Sequence, residues 1–327
     1  MDIVRIQDPN YEELFRIFFN SVELDVRYTK LSRKFYSELD ATKTFNDCSF
    51  IVSHEGLPLC AVFITVHGET SNIVSCYNIP CAYYEIEGLY GKKKRQLGKT
   101  LNEEFLRIID ARELASLSFE ERSESLSIMG TTLLEQGFTP SIKFVQIIDL
   151  TKSEERLWSE LRKGYKSSVS WAKKNMSIAL YDHQTIKSEI YESFRNLHIA
   201  AAGRETRSVE TWKTQMDMVH NKEAFVIVGT MSDEVVTAAL FLYNKEKCFY
   251  GVSASHPDMS NKPLSHIVLW NAIVHSKSLG CHHFEIGEQM FDGQLIDGKA
   301  PSNKELSLSF FKKGFGGRTY IKTRITT

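Results

Sequence analysis

One stretch limits the possible folds more than any other. Residues 249–287 read FYGVSAS, a polar connection, PLSHIVLWNAIVHSKSLG and CHHFEIG, in the order strand, loop, helix, strand. Pro263 suits a first helical position, where no amide donor is needed, and Gly280 suits the left-handed residue just past the end. Leu264, Ile267, Val268 and Ala272 share one helical face, while Trp270, Ile273 and Val274 make much of the other face apolar. A helix so widely apolar is expected to pack on a sheet. The free amides at its start suit a phosphate or carboxylate; a plain crossover without ligand accounts for the same residues equally well.

The rest of the chain is organised around units of this kind. Residues 10–40 are expected to be mostly helical, and CSFIVSH–EGLP–LCAVFITVH (residues 48–67) reads as a hairpin. A helix is expected over 97–114, another over 123–136 ending at Gly137, then a strand, IKFVQIIDL. The second half opens with an amphipathic helix over 153–175, broken at Gly164, and a helix over 186–202. A third follows, capped by Ser208, and then a meander AFVIVGT, VVTAALFLY, CFYGVSAS. Both halves run helices, meander, helix, strand, helix, strand. That order predicts an α+β (α/β mixed-sheet) fold in two domains, 1–150 and 151–327. At 327 residues the chain is long enough for two such cores.

Charge separates the halves. Residues 1–150 carry 16 Lys+Arg against 22 Asp+Glu, whereas residues 151–327 carry 24 against 19, so the second half better suits an anionic partner. No apolar run approaches the length of a membrane span, and MDIVRIQDPN has no signal-peptide pattern. Six scattered cysteines without a CxxC pair read as reduced thiols of a cytoplasmic protein. No His/Cys/Asp set has metal-ligand spacing, no nucleophile elbow is present, and no GxGxxG follows a strand. A metal centre, a covalent serine mechanism and a dinucleotide fold are therefore not expected.

Several stretches carry chemistry. GKKKRQLGKTL (residues 91–101) sets Arg95, Gly98 and Lys99 ahead of a helix, where they would cradle a pyrophosphate; a solvated basic loop is the plainer reading. Arg162, Lys166 and Lys173 form a basic helical face. Arg204 and Arg207 flank a helix boundary in GRETRS, in the manner of an anion clamp. FFKKGFGGR (residues 310–318) joins glycines, cations including Lys312 and Lys313, and aromatics; either a ligand or core packing explains the glycines. For proton transfer the candidates are Glu285, which alternates with Phe284 and Ile286, Glu288 just past the strand, and His266 in the first turn of the central helix.

The order of RKGYKSSVSWAKK, AAGRETRSVETW, PLSHIVLWNAIVHSKSLG, FEIGE and FFKKGFGG resembles the FemAB-like, peptidyltransferase-type branch of the GNAT acyltransferase superfamily. The resemblance covers about residues 155–320 by motif and reaches the first half through element order. It implies two GNAT-like domains in tandem and acyl transfer to an amine, often in building bacterial envelope polymers or surface glycans. It implies acyl-coenzyme A as co-substrate, with no tightly bound cofactor, or aminoacyl-tRNA as donor. By the same resemblance Lys312 belongs to the active cleft and Arg204 and Arg207 are site residues; Lys313, Tyr250 and Lys166 complete the expected substrate set. Arg95-Gln96-Leu97-Gly98 matches the start of the GNAT pyrophosphate loop, but Thr100 replaces its last small residue, and the second half has no glycine at the equivalent NKPLSH. The expected reaction is N-acylation of a nucleotide sugar or glycan precursor. The alternatives are aminoacyl-tRNA-dependent transfer and a non-catalytic binding protein on the same fold.

Overall fold

The structure is a computed structural model. It describes every residue except 41, 69–71, 110–113, 123–124 and 297, and only the backbone of Asn72. The chain divides into two compact units. Met1–Leu24, Tyr28–Lys143 and Ile321–Thr327 form unit 1; Asp25–Arg27 and Phe144–Tyr320 form unit 2. The sequence reading places a single boundary at 150. The division is less simple because two long strands, Thr139–Asp149 and Arg318–Thr326, each start in one unit and end in the other.

Unit 1 contains β1 (Asp2–Arg5), α1 (Tyr11–Ser21), α2 (Lys30–Glu38), β2 (Asn46–Asp47), β3 (Phe50–His54), β4 (Leu57–Phe63), β5 (Thr65–His67), β6 (Asn72–Ser75), β7 (Ala82–Glu85), α3 (Gly91–Ile108), β8 (Leu114–Glu120) and α4 (Ile128–Glu135). The expected hairpin is β3–β4; its turn places Glu55 and Gly56 at positive φ, as a tight hairpin turn requires. The strands order as β1-β3-β4-β7 and as β8-β6-β5-β2. Beside β7 and β8 the chain makes a single parallel bridge, Cys81↔Phe119. Phe50, Val62, Leu97, Leu101, Phe105 and Phe119 fill the core beneath α3.

Helix α3 starts at Gly91, earlier than the expected 97, because lysine, arginine and glutamine all favour helix and nothing after Tyr90 interrupts it. The helix expected to reach 114 ends at Ile108, because Ile109 is extended, and Leu114 already opens β8; the expected start of the next helix at 123 lies outside the described residues, and α4 begins at Ile128, capped by Ser127.

Unit 2 takes the end of β9 (Thr139–Asp149) and continues through α5 (Glu154–Glu160), α6 (Lys163–Asn175), β10 (Ser177–Tyr181), α7 (Ser188–Ala202), α8 (Val209–His220), β11 (Ala224–Met231), β12 (Glu234–Tyr243), β13 (Lys247–Ser255), α9 (Leu264–Ser278), β14 (His283–Gln289), α10 (Asn303–Lys313) and β15 (Arg318–Thr326). Its sheet runs β10-β11-β12-β13-β14-β9, antiparallel except for β13 with β14. The crossover helix α9 packs with α6 on one face, where Ile267, Val268, Ala272, Phe241, Cys248, Phe284 and Ile286 share a core. Helix α7 packs on β12 and β13.

Local signals acted close to where the sequence placed them. Gly203 ends α7 in the left-handed region (φ 69°), and Ser208 caps α8 by accepting the Thr211 amide. Gly280, at φ 86°, follows the last turn of α9. Two details differ. The break between α5 and α6 falls at Leu161, which is extended, and Gly164 lies inside α6. Pro263 caps α9 instead of opening it. Among the described residues no helix is long and apolar enough to cross a membrane.

Candidate active site

Strands β13 and β14 pair over three rungs only: Lys247↔His283, Cys248↔Phe284 and Phe249↔Glu285. Both then run on, β13 to Ser255 and β14 to Gln289, without pairing further. Each carries a bulge at the point of parting. Gly251 is extra between the Leu240↔Val252 and Phe241↔Tyr250 pairs, and Ile286 is extra between Glu285↔Ile147 and Gly287↔Gln146. A bulge bends and twists its strand, so two of them at one level open a fork. A Cβ on Gly251 would sit 2.7 Å from Leu242 Cδ1 and 3.2 Å from the Leu240 carbonyl oxygen, so a side chain there fits only if Leu242 shifts. Along the inner edges of the fork, backbone groups have no partner strand and are available to an extended, amide-bearing ligand.

Lys312 reaches the β14 side of this fork from the last turn of α10. Its Nζ donates to the Glu288 carbonyl at 3.0 Å and lies 3.1 Å from where a Cβ on Gly287 would stand. Gly287, at φ 114°, is in a backbone conformation that favours glycine, and a side chain there would also crowd the ammonium. Helix α10 is fixed by a full capping box, Ser302 with Glu305. The half-buried Glu288 carboxylate has no hydrogen bond or ion pair among the described residues. Gln289, which ends the strand, is 2% exposed, and its Nε2 has no partner among the described residues. Such an orphan is satisfied by a ligand or a water.

His266 sits in an aromatic group: Tyr165 at 4.4 Å and perpendicular, Phe311 at 5.2 Å and Phe315 at 6.0 Å between ring centroids. Burial pushes its pKa below the usual histidine value, the Pro263 carbonyl opposing only weakly, so the ring is neutral near pH 7. Tyr165 OH donates to the Phe311 carbonyl at 3.1 Å, tying α6 to α10. The glycines of FFKKGFGG answer to packing. A Cβ on Gly314 would strike the Tyr165 ring at 2.2 Å, and one on Gly317 the Ile147 carbonyl oxygen at 2.3 Å.

Glu285 is placed differently from Glu288. It is 2% exposed and pairs with Lys247 Nζ at 2.7 Å; the same ammonium lies 2.5 Å from Asp25 Oδ2. Burial disfavours the ammonium, but Asp25 and Glu285 outweigh it and raise its pKa. A buried carboxylate paired in this way is a weaker proton acceptor than one with free lone pairs.

The remaining expected residues are dispersed. Tyr250 is the first residue beyond the last rung on β13; its ring stacks on Phe241 and its hydroxyl donates to Ser253 Oγ at 2.6 Å. Arg204 is exposed at the α7–α8 turn, and the half-buried Arg207 lies over the Trp212 ring at 6.0 Å. Lys166 donates to the Ser159 carbonyl, Arg162 stacks on Phe310 at 3.7 Å and Lys173 lies over Trp158, so the basic face of α6 is largely engaged locally. Lys313 is exposed.

Arg95, Gly98 and Lys99 do not form a phosphate loop. They lie in the second and third turns of α3, where backbone amides are bonded within the helix. With Lys94, Asn102, Ser127 and Thr131 they instead line a groove of about 450 Å³ between α3 and α4, a side-chain site in unit 1. No group of three or more His, Cys, Asp or Glu suited to a metal occurs among the described residues.

Sequence reasoning missed Lys247, assigned to a turn, and Asp25 and Arg27, assigned to a helical region. Tyr165 was visible only as a point on an apolar stripe.

No protein-family model matches the chain, and no curated protein matches it. Solved structures do. FemX aligns at 12% identity over 99% of this chain and 97% of its own, with a TM-score of 0.68. L-PGS from Bacillus licheniformis aligns at 12% identity over 99% and 93%, TM-score 0.59. A tandem GNAT protein from the clavulanic acid biosynthesis pathway aligns at 12% identity over 100% and 98%, TM-score 0.53. At these identities the likeness is one of fold. The chain has the mixed α/β, tandem GNAT-like fold shared with FemX, and this likeness of fold covers nearly the whole chain.

Proposed function

We propose that the protein is an N-acyltransferase whose reaction takes place at the β13–β14 fork of unit 2. The observation that carries this reading is the meeting of Glu288, whose carboxylate has no partner among the described residues, and an ammonium, Lys312, which donates to the Glu288 carbonyl beside the point where β13 and β14 stop pairing. The fold shared with FemX and L-PGS supports a transferase.

In this reading the acceptor amine arrives beside Glu288, which takes a proton from it directly or through one water. The neutral amine attacks the acyl carbonyl carbon, a C–N bond forms, and the tetrahedral oxyanion is steadied by backbone donors of the fork. Collapse breaks the C–S bond and expels the donor's leaving group, a thiolate from acyl-coenzyme A, which takes up the proton that the attacking nitrogen sheds as the amide forms. Lys312 holds negative charge on donor or acceptor, and Gln289 Nε2 is available to orient a carbonyl or phosphate oxygen. No covalent enzyme intermediate is needed. The acceptor class is an amine on a nucleotide sugar or cell-envelope glycan precursor, whose phosphates suit the more basic half of the chain. The α3–α4 groove of unit 1, with Lys94, Arg95 and Lys99, suits phosphates as well.

Thermal unfolding of the full chain with acetyl-coenzyme A, nucleotide sugars and charged tRNA, at two salt concentrations, tests the reading. A donor at about a hundred times its Kd adds ~2.7 kcal/mol of stability. Protection by acetyl-coenzyme A supports acyl-coenzyme A as donor. Protection by charged tRNA alone, falling steeply with salt, moves the donor to aminoacyl-tRNA. Protection by neither donor leaves a binding protein on a transferase fold.

A further inference from the structure

The three residues Asp25–Arg27 belong to unit 2, although the chain on both sides of them, Leu24 and Tyr28, belongs to unit 1. They are bound there by charge. Arg27 grips Asp25 through Nε at 2.8 Å and a terminal nitrogen at 3.2 Å, and its own backbone amide donates to the same carboxylate. Asp25 in turn holds Lys247, and Lys247 holds Glu285. The Arg27 guanidinium lies 5.7 Å from the centre of the Phe249 ring. Asp25, Arg27 and Glu285 are 4%, 7% and 2% exposed.

This network occupies one specific level of the sheet. Phe249↔Glu285 is the last rung before β13 and β14 part, and Lys247 stands two residues earlier on the same face. Cys248, Phe284 and Ile286 point the other way, into the α9 core. Stability alone does not call for charges here: apolar residues of similar volume often serve a buried site as well or better. What charges add is direction, because two carboxylates around one ammonium fix three side chains relative to one another.

We propose that Asp25 and Lys247 are positioning residues, which clamp the Phe249–Glu285 rung and so set where, and at what angle, the two edges of the fork diverge. The clamp rests on the reading of the fork as the reacting site. It gives the N-terminal segment a direct part in that site and explains why Glu285, though at the vertex, is held as an anchor. Glu288, three residues on, stays free to accept a proton.

Hydrogen–deuterium exchange on the full chain tests the clamp independently of any substrate. Asp25→Asn and Lys247→Met should each speed exchange about tenfold in peptides covering 247–253 and 284–289, with the interior strand β11 within about twofold of wild type. The double variant removes the Asp25 charge and the Lys247 ammonium together and should be no worse than the poorer single variant. Lys247→Arg, which keeps the charge, should recover much of the protection. Unchanged exchange at the vertex overturns the proposal. So does equal acceleration in β11, which would mean general loosening. In a transfer assay the single variants should lower kcat about tenfold with little change in KM. If wild type shows no transfer, the functional reading falls while the exchange result still decides the clamp.

Discussion

The two units each contain a parallel strand contact followed by a crossover helix, but the acidic groups near the two contacts are arranged differently. In unit 1, Glu121 is buried, turned toward the start of α4, and accepts both the amide and the hydroxyl of Ser127. Gly130 has no room for a side chain because Glu121 Oε1 stands 1.7 Å from its would-be Cβ. Glu85 accepts the Tyr83 hydroxyl at 2.6 Å and lies 3.6 Å from Lys94. In unit 2, Glu285 is likewise engaged, but Glu288 is not, and Lys312 stands beside its backbone. The crossover helices differ too. Helix α3 carries Lys92, Lys93 and Lys94 in its first turn, against the preference of the helix dipole, while α9 begins with Leu264, Ser265 and His266. Similar elements can therefore engage their carboxylates in one unit and leave one without a partner among the described residues in the other.

The most direct way to break this contrast is to neutralise one carboxylate in each unit. Glu288→Gln should lower the transfer rate by about 10²–10⁴, the usual share of a general base, whereas Glu121→Gln should leave it within about twofold. Equal losses would place the chemistry elsewhere. The cations sharpen the contrast next. A hydrogen bond to a charged group contributes about 1.5–3 kcal/mol, so Lys312→Met should reduce kcat/KM by roughly ten- to a hundredfold. Its exposed neighbour offers the control, and Lys313→Met should change little. Comparable effects from both would mean that the fork gains only from net charge.

The smallest effect concerns His266 and pH. Burial lowers its folded pKa, so the unfolded chain takes up the proton first as acid is added. The stability it protects is present above the unfolded value of about 6.5 and is lost as pH falls below it, until the folded pKa is reached. Denaturant titrations of wild type should show this decline, and His266→Phe should flatten it. An unchanged slope would mean that the imidazole is open to solvent and belongs with the fork's polar groups.

Much of the frame could be read in advance, because caps and turns act over a few residues. Ser208, Gly203 and Gly280 all stand where backbone chemistry alone would put them. Strands β1 and β10 went unread, being short segments whose pattern does not exceed that of a loop. Ahead of the helix expected from 97, the basic run at 91–96 reads as a loop because glycine and clustered charge usually mark one, but α3 extends back to Gly91. Of the proposed site, Glu288 and Lys312 were named from sequence, as was Glu285, but Lys247 and Asp25, the partners that engage Glu285, were not.

The sequence by itself determined most of the order of elements, the helix boundaries at Gly203, Ser208 and Gly280, the crossover of residues 249–287 and the residue types from which a site could be drawn. Those follow from propensity, periodicity and capping, which depend on near neighbours. Tertiary structure alone decided which carboxylate is paired and which is free. Lys247 and Asp25 are 222 residues apart, and Lys312 and Glu288 are 24 apart. Charges so distant along the chain interact only after the sheet and its helices have brought them within a few ångströms, where Coulomb attraction and hydrogen bonding become strong enough to choose between partners.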